Sequence, residues 1–214
     1  MRRKIRNSIA CLAVLALVLS CGNNVDKVLP VLGHADIDYD TGDTVYPTIP
    51  SFEYLNQDSV FIKSDDLKGK VWVADFFFST CPTICPVMTT QMKRLNAATQ
   101  DLSDELVYLS FSINPRVDKP HVLKAYKDHH GITAANWHFF TGDETETHEL
   151  GINHFLVHAN ADEEAPGGYA HSPAFVLVDR EGYVRGVYVG TETEQVDLLE
   201  SDLRKLLKYE YGVE

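Results

Sequence analysis

A nearly continuous apolar run at residues 71–78 leads into a short segment with two cysteines and two prolines, Cys81-Pro82-Thr83-Ile84-Cys85-Pro86. An unbroken run of this kind is typical of a strand that is buried on both faces of a sheet. Proline is tolerated in the first turn of a helix and disrupts the helix interior, so Pro86 predicts that a helix begins close to it. A buried strand that passes directly into a helix indicates an α/β fold, in which ligand sites favour the carboxyl ends of strands.

The alternation of strand and helix continues along the chain. It predicts an α/β fold with a central mixed sheet flanked by helices. An N-terminal β-hairpin is expected ahead of that sheet, because β-rich segments flank the turn residues Asn56-Gln57-Asp58. The predicted hairpin strands are 51–55 and 59–62, the later strands are 106–113, 137–140, 174–179 and 183–189, and the predicted helices are 84–102, 119–129, 144–151 and 194–209.

Residues 1–20 predict a signal peptide. A basic start, Met1-Arg2-Arg3-Lys4-Ile5-Arg6, precedes an apolar run at residues 9–19. That run is shorter than the about 20 helical residues that cross a bilayer core. Val18-Leu19-Ser20-Cys21 is similar to the bacterial lipobox, so we expect cleavage after residue 20 and lipidation of Cys21.

Two further regions follow the predicted signal. Residues 21–45 lack a sustained hydrophobic period and predict a spacer, and residues 46–214 predict one folded domain. The apolar patch at residues 28–32 leaves a second possibility open, in which part of the spacer packs on the domain as an added edge strand.

The charge balance excludes one class of partner. The chain has 19 Lys and Arg against 31 Asp and Glu, which gives a formal net charge of −12. The four basic residues of positions 1–20 leave with the signal peptide, so the mature charge is −16. A nucleic-acid binder needs a basic face, so we expect no nucleic-acid partner. A basic or metal-carrying partner fits this charge better than an acidic one.

The two cysteines of the strand-to-helix segment carry the candidate chemistry. Cys81 is expected in the turn before the helix and Cys85 in its first turn, where the helix dipole lowers thiol pKa values. Four helical steps advance about 6 Å and return to the same face, so both thiolates can approach one ion, and soft thiolates suit Cu(I). The same separation also permits a disulfide, so spacing alone does not choose between a metal and a redox role. A purely structural disulfide is less favoured because so short a loop gains little restraint.

A third ligand has to come from one of nine histidines. His171 follows a long glycine-rich loop at residues 160–170 and immediately precedes the predicted strand at 174–179, which makes it the first candidate. His154 and His158 flank Phe155-Leu156-Val157 and are its main rivals.

These residues resemble the Sco/SenC family of copper chaperones for cytochrome c oxidase assembly. The resemblance runs from about residue 50 to the C-terminus and rests most on Cys81-Pro82-Thr83-Ile84-Cys85-Pro86. Phe111-Ser112-Ile113-Asn114-Pro115 and His171-Ser172 support it. The family commonly has an acidic residue where this chain has Asn114, so the chain lacks one negative charge at this position.

The resemblance implies a thioredoxin-like fold, in which the turn before residue 174 faces the cysteine turn. It also implies that Cys81, Cys85 and His171 bind copper, as Cu(I) or Cu(II). The protein would be exported, held by lipid on a membrane with its domain facing the periplasm, and would pass copper to the CuA site of cytochrome c oxidase subunit II or to another exported cuproprotein.

Other functions remain open from the residues alone. A periplasmic thiol–disulfide oxidoreductase would use Cys81 and Cys85 as a redox pair on cysteines of the oxidase or of other exported proteins, without a necessary role for His171. A thiol peroxidase would need a nucleophilic and a resolving cysteine. A non-catalytic binding module would leave the thiol pair unexplained. We expect a metallochaperone rather than an enzyme, with reductase activity as an accompanying possibility.

Overall fold

A computed structural model describes residues 29–213 of the chain. The predicted signal peptide, the predicted lipidation site Cys21 and the first part of the spacer lie outside the described residues. Within the described part of the chain, no helix has the length and apolar character needed to cross a bilayer.

A central seven-stranded sheet organises the domain, in the order β11-β10-β5-β6-β7-β3-β4. Its three middle strands, β5, β6 and β7, are parallel to one another, and the strands outside them pair antiparallel. The strands are β1 (Asp36–Ile37), β2 (Thr44–Val45), β3 (Glu53–Asn56), β4 (Phe61–Lys63), β5 (Val71–Phe77), β6 (Leu106–Ser112), β7 (Trp137–Thr141), β8 (Ala159–Ala161), β9 (Tyr169–His171), β10 (Ala174–Val178) and β11 (Val184–Val189). The helices are α1 (Cys85–Ala98), α2 (Pro120–His129), α3 (Glu144–Asn153) and α4 (Thr193–Tyr211).

The middle strands form the core because both of their faces are covered. Every residue of β5 and of β6 is buried, which explains why both read as nearly unbroken apolar runs. Helices α1 and α2 provide the two crossovers that parallel strands require. The mixed sheet flanked by helices confirms the predicted fold class, and the predicted N-terminal hairpin, β3–β4, forms one edge of that sheet through its pairing with β7.

The helix boundaries follow from local chemistry. Proline occupies the first turn of α1 and of α2, where its missing N–H has no intrahelical acceptor. Asp143 caps α3 by accepting a hydrogen bond from the Glu146 N–H at 3.0 Å. Gly212 ends α4 in the left-handed conformation, with φ of 68°.

A short β-hairpin lies in a segment that the sequence analysis interpreted as a loop. The glycine-rich loop at 160–170 was expected to be a loop throughout, and this was wrong at both of its ends. Strands β8 and β9 pair antiparallel, with Ala159 opposite His171. Strands of three residues are too short to show an alternating pattern, which is why the sequence did not reveal them.

Part of the predicted spacer packs on the domain, which is the possibility that the apolar patch left open. The Leu32 N–H donates to the Val184 carbonyl at 2.8 Å, and Leu29 and Leu32 pack against the core. Arg185 donates to the carbonyls of Leu29 and Pro30. Strands β1 and β2 form a small separate hairpin beyond this contact.

Candidate metal centre

The two cysteines lie in the connection from β5 to α1. The Cys81 N–H donates to the carbonyl of Phe78, the residue after β5, at 3.1 Å. Cys85 is the first residue of α1. The side chains are buried, with 7% of Cys81 and 1% of Cys85 exposed. Because α1 begins at Cys85, Cys81 is not on the helix, and the prediction that helical spacing brings the thiols together was wrong. The turn before the helix does so instead.

The sheet topology brings His171 to the same place. Strand β10 pairs antiparallel with β5, with Val176 opposite Ala74. The start of β10 therefore lies beside the carboxyl end of β5, and His171, three residues before Ala174, reaches the cysteine turn. Its Nε2 is 3.2 Å from Cys85 Sγ and 3.8 Å from Cys81 Sγ.

The three ligand atoms fit a single metal ion. In the described part of the chain, one group of at least three His, Cys, Asp or Glu side chains has all of its ligand atoms within 4.8 Å of one another. It consists of Cys81, Cys85 and His171. Metal–sulfur bonds of about 2.3 Å and metal–nitrogen bonds of about 2.0 Å separate sulfur from nitrogen by roughly 3.5–3.8 Å in trigonal or tetrahedral geometry. The observed separation of 3.8 Å lies at the upper limit of this range and that of 3.2 Å lies just below its lower limit, so little movement would be needed to close the three atoms on one ion.

Neither rival histidine belongs to this group of converging atoms. His154 lines a separate cleft of about 530 Å³, together with Glu146 and Glu149. His158 is exposed and lines the same cleft of about 320 Å³ as Cys81 and His171, but its ring nitrogens are outside the group of converging atoms. The structure thus brings together the three predicted ligands and neither of their rivals, and their ligation of a metal stays a prediction.

The two thiols differ electrostatically. Burial raises the pKa of Cys81, but hydrogen bonds from the backbone of Cys85 and Thr83 outweigh it and leave that pKa below its usual value. Burial raises the pKa of Cys85 far above its usual value; a hydrogen bond from the Phe78 backbone offsets part of this rise, and electrostatic repulsion from Cys81 and Asp75 adds to it. The expectation that the helix start lowers both pKa values therefore holds for Cys81 only, because Cys85 is too deeply desolvated.

The imidazole is held in its neutral form. Burial lowers the pKa of His171, and backbone groups of Ser172 and Phe76 act in the opposite sense without reversing this effect. A neutral imidazole keeps a nitrogen lone pair, which is the form that binds metals. The centre therefore offers one thiol whose pKa is lowered, one thiol whose pKa is raised and one neutral imidazole.

A buried carboxylate holds the cysteine turn in place. Asp118 is fully buried and accepts hydrogen bonds from the Ser79 N–H at 3.0 Å, from the Ser79 hydroxyl and from the Ser112 hydroxyl at 2.6 Å. Ser79 is two residues before Cys81, so these bonds tie the turn to the end of β6. Asp118 has no recognisable signal in the sequence, because it is a single acid six residues beyond the end of β6.

Asp75 was missed for a different reason. A lone acid within the apolar run of β5 is a visible signal of a buried polar group. The run was interpreted only as a buried strand, so this signal was not used. The Asp75 carboxylate accepts a hydrogen bond from Ser110 at 2.6 Å, and Ser110 in turn accepts one from the Trp137 indole N–H at 2.9 Å.

The fold and this centre together define a thioredoxin-like protein with two thiols and an imidazole at the carboxyl end of a central strand. The SCO1/SenC family model matches residues 41–208, and the chain belongs to that family.

Individual relatives agree with this assignment. The SCO1 protein homolog of Bacillus subtilis is 33% identical over 157 residues, which cover 73% of this chain and 81% of the relative. A SCO1/SenC family lipoprotein of Bacillus anthracis has a TM-score of 0.69 and 32% identity, and the match covers 74% of this chain and 94% of that one. BsSco, a member of the Sco family of cytochrome c oxidase assembly proteins in which a disulfide switch has been identified, has a TM-score of 0.66 and 33% identity over 74% of this chain and 92% of its own.

Proposed function

We propose that this protein is a copper metallochaperone that binds copper through Cys81, Cys85 and His171 and delivers it to the CuA site of cytochrome c oxidase. The convergence of the three ligand atoms within 4.8 Å is the observation that carries the proposal. A pair of soft sulfur ligands with one imidazole suits Cu(I) rather than hard cations such as Mg²⁺ or Ca²⁺. Membership of a family that includes a cytochrome c oxidase assembly protein supports cytochrome c oxidase as the acceptor of the copper.

The low ligand number suits transfer rather than permanent storage. Three protein ligands leave room for a thiolate of an acceptor to approach the ion. The cleft of about 320 Å³ gives access from the side of Cys81 and His171. An acceptor can therefore form its first bond to the metal before the last bond to this protein breaks.

The same proposal includes export and a lipid anchor at Cys21. The basic start, the short apolar run and the cysteine after Ser20 support it, and so does the existence of a SCO1/SenC family lipoprotein in Bacillus anthracis. The anchored domain would face the periplasm, where oxidase subunit II presents its copper site. Globomycin-sensitive processing and a labelled-palmitate signal that is lost in C21A would test the anchor.

An anaerobic competition titration against a Cu(I) chelator tests the copper site. The reduced wild-type protein is expected to bind one Cu(I) per monomer. The C81S/C85S double variant is expected to lose affinity by more than the roughly 10–100-fold that follows loss of an outer-shell partner, because it removes ligands themselves. H154A is the matched control, since it removes a histidine outside the converging group. Unchanged affinity in C81S/C85S would contradict the proposal.

A second function is favoured by the contrast between the two thiols. A cysteine with a lowered pKa next to a buried one with a raised pKa is suited to attack and resolution in thiol–disulfide exchange. A reductase would act on the CuA cysteines or on those of other exported proteins. The reaction consumes two thiols of this protein, forms the Cys81–Cys85 disulfide and leaves the target disulfide as two thiols.

Reduction of an oxidised peptide that carries the two CuA cysteines separates the two functions. If the protein is a reductase, H171A keeps its rate and C85S loses the ability to complete the exchange. If metal transfer is the activity, H171A loses Cu(I) affinity and the wild type reduces the peptide no faster than a small-molecule dithiol. Peroxide consumption at the rate of an ordinary thiol would set aside the peroxidase alternative.

A further inference from the structure

Tyr169 joins the hairpin that carries His171 to the body of the domain. Tyr169 and His171 are two residues apart on β9, so their side chains lie on the same face of the strand. The Tyr169 ring centroid is 5.3 Å from that of Phe78, and the His171 ring packs edge-on against the same phenylalanine at 5.7 Å. One side chain at the end of β5 therefore supports both the tyrosine and the candidate ligand.

The tyrosine hydroxyl reaches two other segments. It donates to Asn114 Oδ1 at 3.2 Å and to Glu144 Oε1 at 3.0 Å. Arg116 binds both carboxylate oxygens of Glu144, at 2.8 and 3.0 Å. The Arg116 guanidinium holds the pKa of Glu144 below its usual range, and the Tyr169 hydroxyl adds to this effect. The hydroxyl therefore binds an ionised acceptor, which gives a stronger hydrogen bond than a neutral one.

The tip of the hairpin also lies close to the cysteine turn. Gly167 has φ of +85°, and a Cβ at this position would lie 2.8 Å from the Phe78 ring and 3.4 Å from Pro82. Such an approach requires glycine. The hairpin is thus closed over the segment that carries Cys81, and it forms one wall of the cleft through which an acceptor would reach the metal.

We propose that Tyr169 is a positioning residue that latches the β8–β9 hairpin over the thiols, and that release of its hydroxyl from Asn114 and Glu144 lets His171 move away and opens the site. Copper leaves this protein only after all three of its bonds break, including the bond to His171, so opening the latch speeds the transfer. The effect on copper transfer rests on the proposed function, whereas the effect on access to the Cys81 thiol does not. Asn114, which departs from the residue common in the family, is one of the two acceptors that hold the latch closed.

The Y169F variant tests the latch, because it keeps the ring against Phe78 and removes only the hydroxyl. Two rates are measured on the full-length reduced protein: iodoacetamide modification of Cys81 without metal, and Cu(I) transfer to a chelator after loading. Both rates are expected to rise about three- to tenfold. Y211F is the matched control, since its hydroxyl also donates to a carboxylate, that of Glu181, at the opposite end of the sheet. Both rates should be unchanged in it.

A double variant distinguishes a latch from general loosening. E144Q removes the charged acceptor, and Y169F/E144Q should open no further than Y169F alone, because both changes break the same contact. Rates in Y169F equal to those in Y211F would overturn the inference, even if Y169F melts at a lower temperature. Faster alkylation in Y169F together with no Cu(I) binding by the wild type would overturn the copper function and leave the latch standing.

Discussion

Asp75 shows how one side chain can make stability depend on pH. It lies in the middle of β5, with 4% of its surface exposed. Burial raises its pKa to about 7 from an ordinary value of 3.8, and the hydrogen bond from Ser110 offsets part of this rise. The folded protein therefore holds a proton that the unfolded chain has already released above pH 4. The free energy of unfolding falls as the pH rises from about 4 to about 7 and is level beyond it.

The D75N variant is expected to lack this loss of stability. Asparagine keeps the acceptor oxygen for Ser110 and carries no charge at any pH. Relative to the wild type, D75N should gain stability between pH 4 and pH 8 by up to about 4 kcal/mol, which corresponds to about three pKa units. Urea unfolding of both proteins, reduced and metal-free, at pH 4.5, 6 and 8 measures the difference. Parallel pH profiles for the two proteins would show that Asp75 does not titrate as described.

At the scale of elements, the sequence predicted those whose signal is local. The apolar run of β5 and the proline in the first turn of α1 placed the cysteine turn correctly, because burial on both faces and proline geometry act within a few residues. The hairpin of β8 and β9 was missed because its strands have three residues each and its tip contains Gly167 and Gly168. Its shape comes from packing on Phe78, which no local pattern records.

Only part of the candidate centre could be predicted from the sequence, because only part of it depends on local signals. The two cysteines could be assigned to a strand end from the residues alone. The approach of His171 depends on which strand pairs with β5, and the family resemblance rather than the spacing supplied that information. The contrast between the two thiol pKa values depends on the burial of Cys85, which sequence position near a helix start did not indicate. The latch between Tyr169 and Glu144 joins residues 25 positions apart and has no sequence signature.

At the scale of the whole molecule, residues 29–32, here called the N-terminal segment, and the candidate metal centre lie at opposite ends of the sheet. Leu32 bonds to Val184, which pairs with Val178 at the end of β10. His171 precedes the other end of that strand, and β5 spans roughly 20 Å between the two ends. Seven residues separate Leu29 from Cys21, and a chain of that length reaches at most roughly 30 Å. If Cys21 carries the lipid as proposed, the domain is held close to the membrane with its thiols turned outward.

Arg185 binds the N-terminal segment to the domain through two of its carbonyls, and loss of this arginine should detach the segment. Its side chain is 4% exposed and forms ion pairs with Asp179 at 2.8 Å and Glu210 at 2.5 Å, in addition to its bonds to the carbonyls of residues 29 and 30. R185M leaves Asp179, whose pKa burial already raises, without its buried cation. We expect a loss of about 3–5 kcal/mol in the free energy of unfolding.

The matched control is R204M, which removes an arginine paired with Asp101 and Glu200 on the more exposed surface. It should cost about 1 kcal/mol or less, because solvent screens exposed ion pairs. Urea unfolding measures the stability of both variants, and hydrogen exchange of the Leu32 amide, which donates to the Val184 carbonyl, reports the segment itself. Exchange there should become fast in R185M, under conditions where the sheet stays protected, and remain slow in R204M. Slow exchange of the Leu32 amide in R185M would mean that the Leu32–Val184 hydrogen bond and the packing of Leu29 and Leu32 hold the segment without Arg185.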